Sequence, residues 1–131
     1  MPPPPVAARE LAREQRFSRI WTQELNRVFA DVAPYYDSAN HVASLGMWNH
    51  FLRSFLDTID LRPGARVLDV CAGTNAVGIA LLQREPALEV HAIDRSREMQ
   101  EVGRRRAQAR GYVIHGLIGD VHDLPFPDAH F

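Results

Sequence analysis

Three short polar segments are the parts of this sequence that could do chemistry. They comprise residues 69–75, the pair Asp94 and Arg95, and residues 119–126, and each follows a short apolar run. Carboxylates at such positions can accept hydrogen bonds from both hydroxyls of a ribose. Small residues let a ligand approach the backbone amides at the start of a helix. The three segments therefore predict a site for a nucleoside.

Two helices are predicted before any strand. Apolar residues recur at three- and four-residue steps between residues 7 and 31, which indicates an amphipathic helix that Pro34 ends. The same spacing over residues 45–59 predicts a second helix. The proline run of residues 2–5 predicts an extended tail before both helices.

Beyond the turn at residues 62–64, strands and helices alternate. Strands are predicted at residues 67–70, 88–93 and 113–118. Helices are predicted at residues 75–84 and from the N-cap Ser96 to about residue 110, and the arginines of the second helix are expected to face solvent. This βαβαβ order predicts an α/β fold in which the helices precede a Rossmann-like half of a doubly wound parallel sheet, ordered 3-2-1. All three polar segments would then line one crevice at the carboxyl ends of the strands.

Individual residues of the crevice suit a nucleoside with an adenine base. Gly73 lacks a side chain, and Asn75 tolerates a positive φ. Asp94 follows Gly73 by about 20 residues and is placed to accept from the ribose hydroxyls. Asp120 could accept from the adenine amine while the Val121 amide donates to a ring nitrogen. The alternative is that Gly73 only makes a tight turn and that Asp94 only caps the next helix.

Two adenosine cofactors fit these positions. A dinucleotide-binding loop would need glycine at Cys71, Gly73 and Ala76, whereas a methyltransferase loop would need it at residues 71, 73 and 75. Only Gly73 complies in either case. Asp69 could reach a ligand ammonium directly or through water, which suits a methionine moiety better than a pyrophosphate. Charge therefore favours S-adenosyl-L-methionine, and an NAD-binding half-domain stays as an alternative.

The sequence resembles a known family of methyltransferases. Residues 67–74, VLDVCAGT, resemble the first motif of class I S-adenosylmethionine-dependent methyltransferases, and residues 119–128 resemble a later motif. Residues 29–37, FADVAPYYD, with Asn40 and residues 44–46, resemble the segment that precedes this motif in the ubiquinone and menaquinone biosynthesis C-methyltransferases. The resemblance covers roughly residues 26–131. Asn75 departs from it, because glycine is usual there.

The resemblance implies methyl transfer from S-adenosylmethionine to a ring carbon of a prenylated quinol precursor. It also places Thr74, Asp94, Asp120 and Val121 at cofactor-contacting positions. Together, the two arguments predict nine cofactor-binding residues. They are Asp69, Cys71, Gly73, Thr74, Asn75, Asp94, Arg95, Asp120 and Val121.

The predicted organisation has three parts. Residues 1–16 form a tail and helix start, residues 17–61 a helical lid, and residues 62–131 the N-terminal half of the cofactor-binding domain, cut before strand four. No general base is nominated, because strand four and its loop usually form the wall beside the methyl group, and the fragment alone is expected to be inactive. The open edge of strand one predicts self-association. A noncatalytic binding or assembly module is the alternative.

Composition argues against several other classes. The 15 basic residues nearly cancel 16 acidic ones, so no global field attracts nucleic acid, and the expected partner is a small-molecule methyl acceptor. No apolar run approaches the ~18 residues of a spanning helix, so membrane contact would be peripheral. The single cysteine, Cys71, is expected to be a packing residue, and a cytoplasmic location is predicted. The spacing of the six histidines matches no metal-binding pattern, so no metal site is predicted.

Overall fold

The computed structural model describes residues 24–131 together with Ala12 and Gln15. The predicted proline-rich tail and most of the first predicted helix lie outside the described residues. The described end of that helix is α1, Asn26–Val32, which gives way to a 3₁₀ turn at Ala33–Tyr35. The α-helix thus ends just before Pro34 and its preceding residue, as the restriction that proline places on its neighbour predicts.

The second predicted helix is shorter than expected, and a helix that was not predicted precedes it. α2 spans Tyr36–Ala43 and α3 spans Trp48–Leu56. Leu45, expected on the apolar face, instead has a φ of 53° and is 90% exposed in the turn between them. Gly46 adopts a φ of 80° and donates its N–H to the His41 carbonyl at 2.8 Å, which ends α2. The helix predicted over residues 45–59 is therefore present as α3, but it begins only at Trp48, because the apolar spacing did not register the glycine turn at Gly46.

The predicted sheet is confirmed. β1, β2 and β3 span Arg66–Val70, Glu89–Asp94 and His115–Ile118, and all pair in parallel. β2 lies in the centre, so the spatial order is 3-2-1. No strand among residues 24–131 pairs with the second edge of β1.

The two predicted crossover helices are also confirmed. α4 spans Ala76–Arg84 and α5 spans Arg97–Ala109. Ser96 is the N-cap of α5, and its hydroxyl accepts a hydrogen bond from the Met99 N–H at 3.2 Å. The α/β class and the half-sheet inferred from the alternating pattern are thus those of the structure.

The core lies between α3, α4 and one face of the sheet. Its buried residues are Leu56, Ala80, Leu81, Leu82, Leu88 and Val90. Gly78 allows α4 to approach the sheet closely, since a Cβ there would lie 3.2 Å from Val90 Cγ1 and 3.1 Å from Ile114 Cδ1. In the part of the chain that the structure describes, no helix is long and apolar enough to cross a membrane.

Candidate functional site

A cavity of about 370 Å³ opens where the three strands end. One wall comes from the helical segment before the sheet, and the other comes from the segments that follow β1, β2 and β3. The helical wall includes Leu25, Asn26, Phe29 and Tyr36, and five predicted site residues lie in the opposite wall, namely Cys71, Gly73, Asp94, Arg95 and Val121. The crevice expected from the strand order is therefore present, and the N-terminal helices contribute to it.

The loop after β1 alternates between ordinary and left-handed backbone. Cys71, Gly73 and Asn75 have φ values of 58°, 54° and 58°. Nothing lies within 4 Å of the position that a Cβ would take at Gly73. The glycine therefore satisfies a backbone conformation that other residues rarely adopt, and it leaves open space towards the cavity.

Asp94 joins the ends of β1 and β2. One carboxylate oxygen, Oδ2, accepts the Gly73 N–H at 2.8 Å, and Oδ1 accepts the Ser96 N–H at 2.8 Å. The residue thus performs the local backbone role that was the alternative to ligand binding. An ionised carboxylate offers about four acceptor positions, so two stay available to hydroxyl donors in the cavity.

Asp120 and Arg95 lie together beside the cavity. Asp120 Oδ1 accepts the backbone N–H of His122 at 2.9 Å and lies 2.8 Å from its Nδ1, and Oδ2 is 3.7 Å from Arg95 Nη1. The backbone and side-chain hydrogen bonds of His122, and then the Arg95 charge, hold the pKa of Asp120 below its usual range. Val121 lines the cavity and Asp120 does not. The carboxylate is therefore kept ionised at the rim.

Asp69 is partly buried in β1 and does not line the cavity. Burial raises the pKa of its carboxyl to about 6, against a hydrogen bond from the Gly78 backbone and with a smaller contribution from the charge of Asp94. Its Oδ2 is buried without a hydrogen-bond partner. The direct reach to a ligand ammonium that we expected is absent from this arrangement, and a contact through water stays a prediction.

Thr74 also lies outside the cavity wall, in a polar cluster behind the loop. The side chain is 2% exposed, and its hydroxyl donates to Asp37 Oδ1 at 2.9 Å. Asp37 Oδ2 in turn accepts from the guanidinium of Arg106. Arg106 was expected to face solvent with the other arginines of α5, and this expectation was wrong because its partner lies on α2, 69 residues earlier.

Like Thr74, Asn75 has its side chain held behind the loop. Its Oδ1 accepts a hydrogen bond from Gln100 Nε2 at 2.9 Å, and the same nitrogen donates to the Gly73 carbonyl at 2.9 Å. Gly103 lies against the loop, because a Cβ there would be 2.7 Å from both the carbonyl carbon and oxygen of Thr74. α5 therefore fixes the loop from behind while the cavity lies in front of it.

Four residues of this supporting layer were not assigned by sequence reasoning: Asp37, Gln100, Gly103 and Arg106. Two of them have a sequence feature that could have indicated their role. Gly103 is a glycine inside a helical pattern, which often marks a close approach. Asp37 ends the quoted segment FADVAPYYD. Gln100 and Arg106 have no such sequence feature, since a polar residue on an amphipathic helix ordinarily faces water.

Comparison with known proteins agrees with the motif resemblance. The sequence profile of the ubiE/COQ5 methyltransferase family matches residues 17–131. The demethylmenaquinone methyltransferase of Symbiobacterium thermophilum is 38% identical over 112 residues, which are 83% of this chain and 45% of that protein. The ubiquinone/menaquinone biosynthesis C-methyltransferase UbiE of Geotalea daltonii is 32% identical over 112 residues, 83% of this chain and 48% of that protein.

A solved structure shows the same fold. The mmp1179 protein of Methanococcus maripaludis superposes with a TM-score of 0.61 at 21% identity, over 76% of this chain and 45% of that chain. The chain spans about half the length of the curated relatives it matches. With a family profile that matches nearly all of its sequence, the chain belongs to the ubiE/COQ5 methyltransferase family.

Proposed function

We propose that this chain is the cofactor-binding N-terminal part of an S-adenosyl-L-methionine-dependent methyltransferase. The proposed methyl acceptor is a ring carbon of a small quinol precursor, which is consistent with a relative named as a ubiquinone/menaquinone biosynthesis C-methyltransferase. One observation carries the proposal. Groups from three separate segments, Gly73, Asp94 and Val121, line one cavity at the strand ends, which supports binding of an adenosyl ligand there.

The cavity suits such a ligand in size and in chemistry. Its volume of about 370 Å³ lies within the range of small-molecule sites. We propose that the free acceptor positions of Asp94 bind the ribose hydroxyls and that the Val121 amide donates to the adenine ring. The open face of Gly73 would accommodate the methionine moiety. When bound, the cofactor supplies an electrophilic methyl group, and these residues orient it.

Of the nine predicted site residues, five line the cavity and four lie outside its wall. The five that line the cavity are proposed to touch the cofactor. Thr74 and Asn75 are proposed to act by fixing the loop, because their side chains are bonded to Asp37 and Gln100. Asp120 at the rim is proposed to receive the adenine amine, and Asp69 to act through water. None of the nine is assigned as a general base.

The helices before the sheet are proposed to cover the cofactor. Leu25, Phe29 and Tyr36 already form the helical wall of the cavity, which supports a lid within residues 17–61 ahead of a cofactor domain at 62–131. We also propose a cytoplasmic enzyme, with any membrane contact peripheral. The unpaired edge of β1 is proposed as a surface for self-association.

Calorimetric titration with S-adenosylhomocysteine tests the proposal. We expect saturable binding by the natural chain and a loss of at least about tenfold in Asp94→Ala, since hydrogen bonds to a charged group contribute about 1.5–3 kcal/mol each. Asp94→Asn keeps one acceptor oxygen and should bind with intermediate affinity. Asp123→Ala removes an exposed carboxylate outside the cavity wall and should bind normally. Far-ultraviolet circular dichroism shows that each variant is folded.

The outcomes separate the alternatives. Equal binding by Asp94→Ala and the natural chain would remove Asp94 from the site. Preferential binding of NAD over S-adenosylhomocysteine would favour a dinucleotide-binding half-domain. Absence of binding by a folded natural chain would contradict cofactor binding and favour a noncatalytic module.

A further inference from the structure

The sheet face opposite the core carries three potential metal ligands. Glu89 and His91 are two residues apart on β2, so they project from the same face. His115 is the partner of His91 in the parallel register between β2 and β3. Residues that are 24 or more positions apart in the sequence thus lie side by side, which their spacing along the chain does not reveal.

The donor atoms of these side chains are close to one another. One ligand atom from each of Glu89, His91 and His115 lies within 4.8 Å of the other two. The Nε2 atom of His91 is 2.7 Å from Oε1 of Glu89, and the two imidazole rings have centroids 4.7 Å apart. The Glu89 side chain is 48% exposed, so an ion can reach the cluster from solvent.

The surroundings hold His91 and leave the other two ligands able to adjust. Phe126 and Phe131 contact the His91 ring edge to face, with centroids 6.2 and 5.3 Å away. His115 is exposed at the start of β3. Arg66 is the β1 partner of Glu89 and hydrogen-bonds to His130 at 3.2 Å, so its positive charge lies beside the cluster.

We propose that Glu89, His91 and His115 form a binding site for a divalent transition metal ion, of which Zn²⁺ is the best match. Imidazole nitrogen and carboxylate oxygen are ligands that Zn²⁺ accepts, and three protein ligands with water in the fourth position is a recurrent arrangement. The ion would replace the hydrogen bond between His91 and Glu89. Metal–ligand bonds of about 2.0–2.2 Å need the exposed side chains to shift by roughly 1 Å.

This site is separate from the proposed cofactor cavity. Glu89 and His115 are the first residues of their strands, whereas the cavity lies where the strands end. The ion would join β2 to β3 in the folded chain only, and binding to the folded state alone stabilises that state. The proposed metal site shares no residue with the wall of the cofactor cavity.

Titration of the whole chain with ZnCl₂, followed by calorimetry, tests the site. We expect one saturable Zn²⁺ per chain and a rise in the midpoint of thermal unfolding. Because loss of a hydrogen-bond partner of a metal ligand already costs about 10- to 100-fold, His115→Gln should weaken binding by at least about tenfold. His50→Gln removes an exposed histidine on α3, outside the cluster, and should leave binding unchanged.

Two further variants make the test decisive. Glu89→Gln removes an exposed ligand with little effect on packing and should weaken Zn²⁺ binding as His115→Gln does. Arg66→Gln removes the neighbouring charge and should strengthen binding roughly three- to tenfold. Absence of saturable binding by the natural chain, or binding that both His115→Gln and Glu89→Gln leave intact, would overturn the proposal.

Discussion

Asp37 accepts a hydrogen bond from the hydroxyl of Thr74 at 2.9 Å, although 37 positions separate the two residues. The contact joins α2 to the loop after β1, and Arg106 of α5 pairs with the same carboxylate. Both charged side chains are about two-thirds or more shielded from solvent. The helical segment that forms one wall of the cavity is thereby tied to the loop that forms the other.

Replacing Asp37 by alanine should weaken this connection. The change leaves the buried Thr74 hydroxyl without its acceptor and leaves the partly buried Arg106 guanidinium with only the Thr74 oxygen, 3.4 Å from Nη1, which should lower the free energy of unfolding by about 1–3 kcal/mol. Chemical denaturation measures the loss. Asp31→Ala, an exposed site on α1, is the matched control and should change little. Equal stability of the two variants would show that the cluster contributes nothing.

Asp69 should make the stability of the chain depend on pH. Its pKa is raised from 3.8 to about 6 by burial, so the folded chain holds this proton more tightly than the unfolded chain does. The residue therefore destabilises the fold as pH rises from about 4 to 6, by on the order of 2–3 kcal/mol at neutral pH.

The variant Asp69→Asn isolates this effect, because its amide carries no titrating group. The unfolding free energy of the variant minus that of the natural chain should increase between pH 4 and pH 7. Chemical denaturation of the variant and of the natural chain at pH 4 and at pH 7 gives this difference in unfolding free energy at each pH. A constant difference would mean that Asp69 titrates at its ordinary pKa in the folded chain.

The sheet could be predicted from the sequence because its signals are local. Apolar runs around Val67 and Val90, separated by helical stretches, determine the strand order and with it the crevice at the strand ends. Ser96 was recognised as an N-cap for the same reason, since its role depends on residues within one turn. Roles that depend only on residues nearby in the sequence could therefore be predicted.

What could not be predicted depends on contacts between distant elements. Asp94 was assigned to a ribose, with capping of the next helix as the alternative, but its bond from the Gly73 N–H became visible only in the structure. Asn75 was expected to line the crevice, whereas Gln100 of α5 holds its side chain behind the loop. Sequence patterns show which loop a residue occupies and do not show which side of the loop it faces.

Gly103 should be intolerant of even a methyl group. In Gly103→Ala the Cβ would lie 2.7 Å from backbone atoms of Thr74. Those atoms cannot move without displacing the loop after β1. Such overpacking typically costs about 1–3 kcal/mol or more and exceeds the gain in helix propensity of about 1 kcal/mol. We expect a less stable chain with weakened S-adenosylhomocysteine binding in denaturation and calorimetry.

The matched control for Gly103 is Gly78→Ala. It places a methyl group at another buried helical glycine, where the nearest atoms are side-chain carbons of Ile114 and Val90 at 3.1 and 3.2 Å instead of backbone atoms at 2.7 Å. Because Val90 is fully buried, Gly78→Ala should lose some stability, but less than Gly103→Ala, whose Cβ would overlap backbone atoms. If both alanine variants lost the same stability, the backbone contact at Gly103 would not be what restricts that position.

Asn75 tests whether the left-handed backbone of the loop matters separately from its side-chain bond. Asn75→Gly and Asn75→Ala both remove the acceptor of Gln100, but only alanine opposes the φ of 58°. Because that region costs a residue with a Cβ roughly 1–2 kcal/mol, the alanine variant should be less stable than the glycine variant by about that amount. Parallel denaturant titrations measure the difference, and identical midpoints and slopes would mean that the loop relaxes to another conformation once the Gln100 bond is lost.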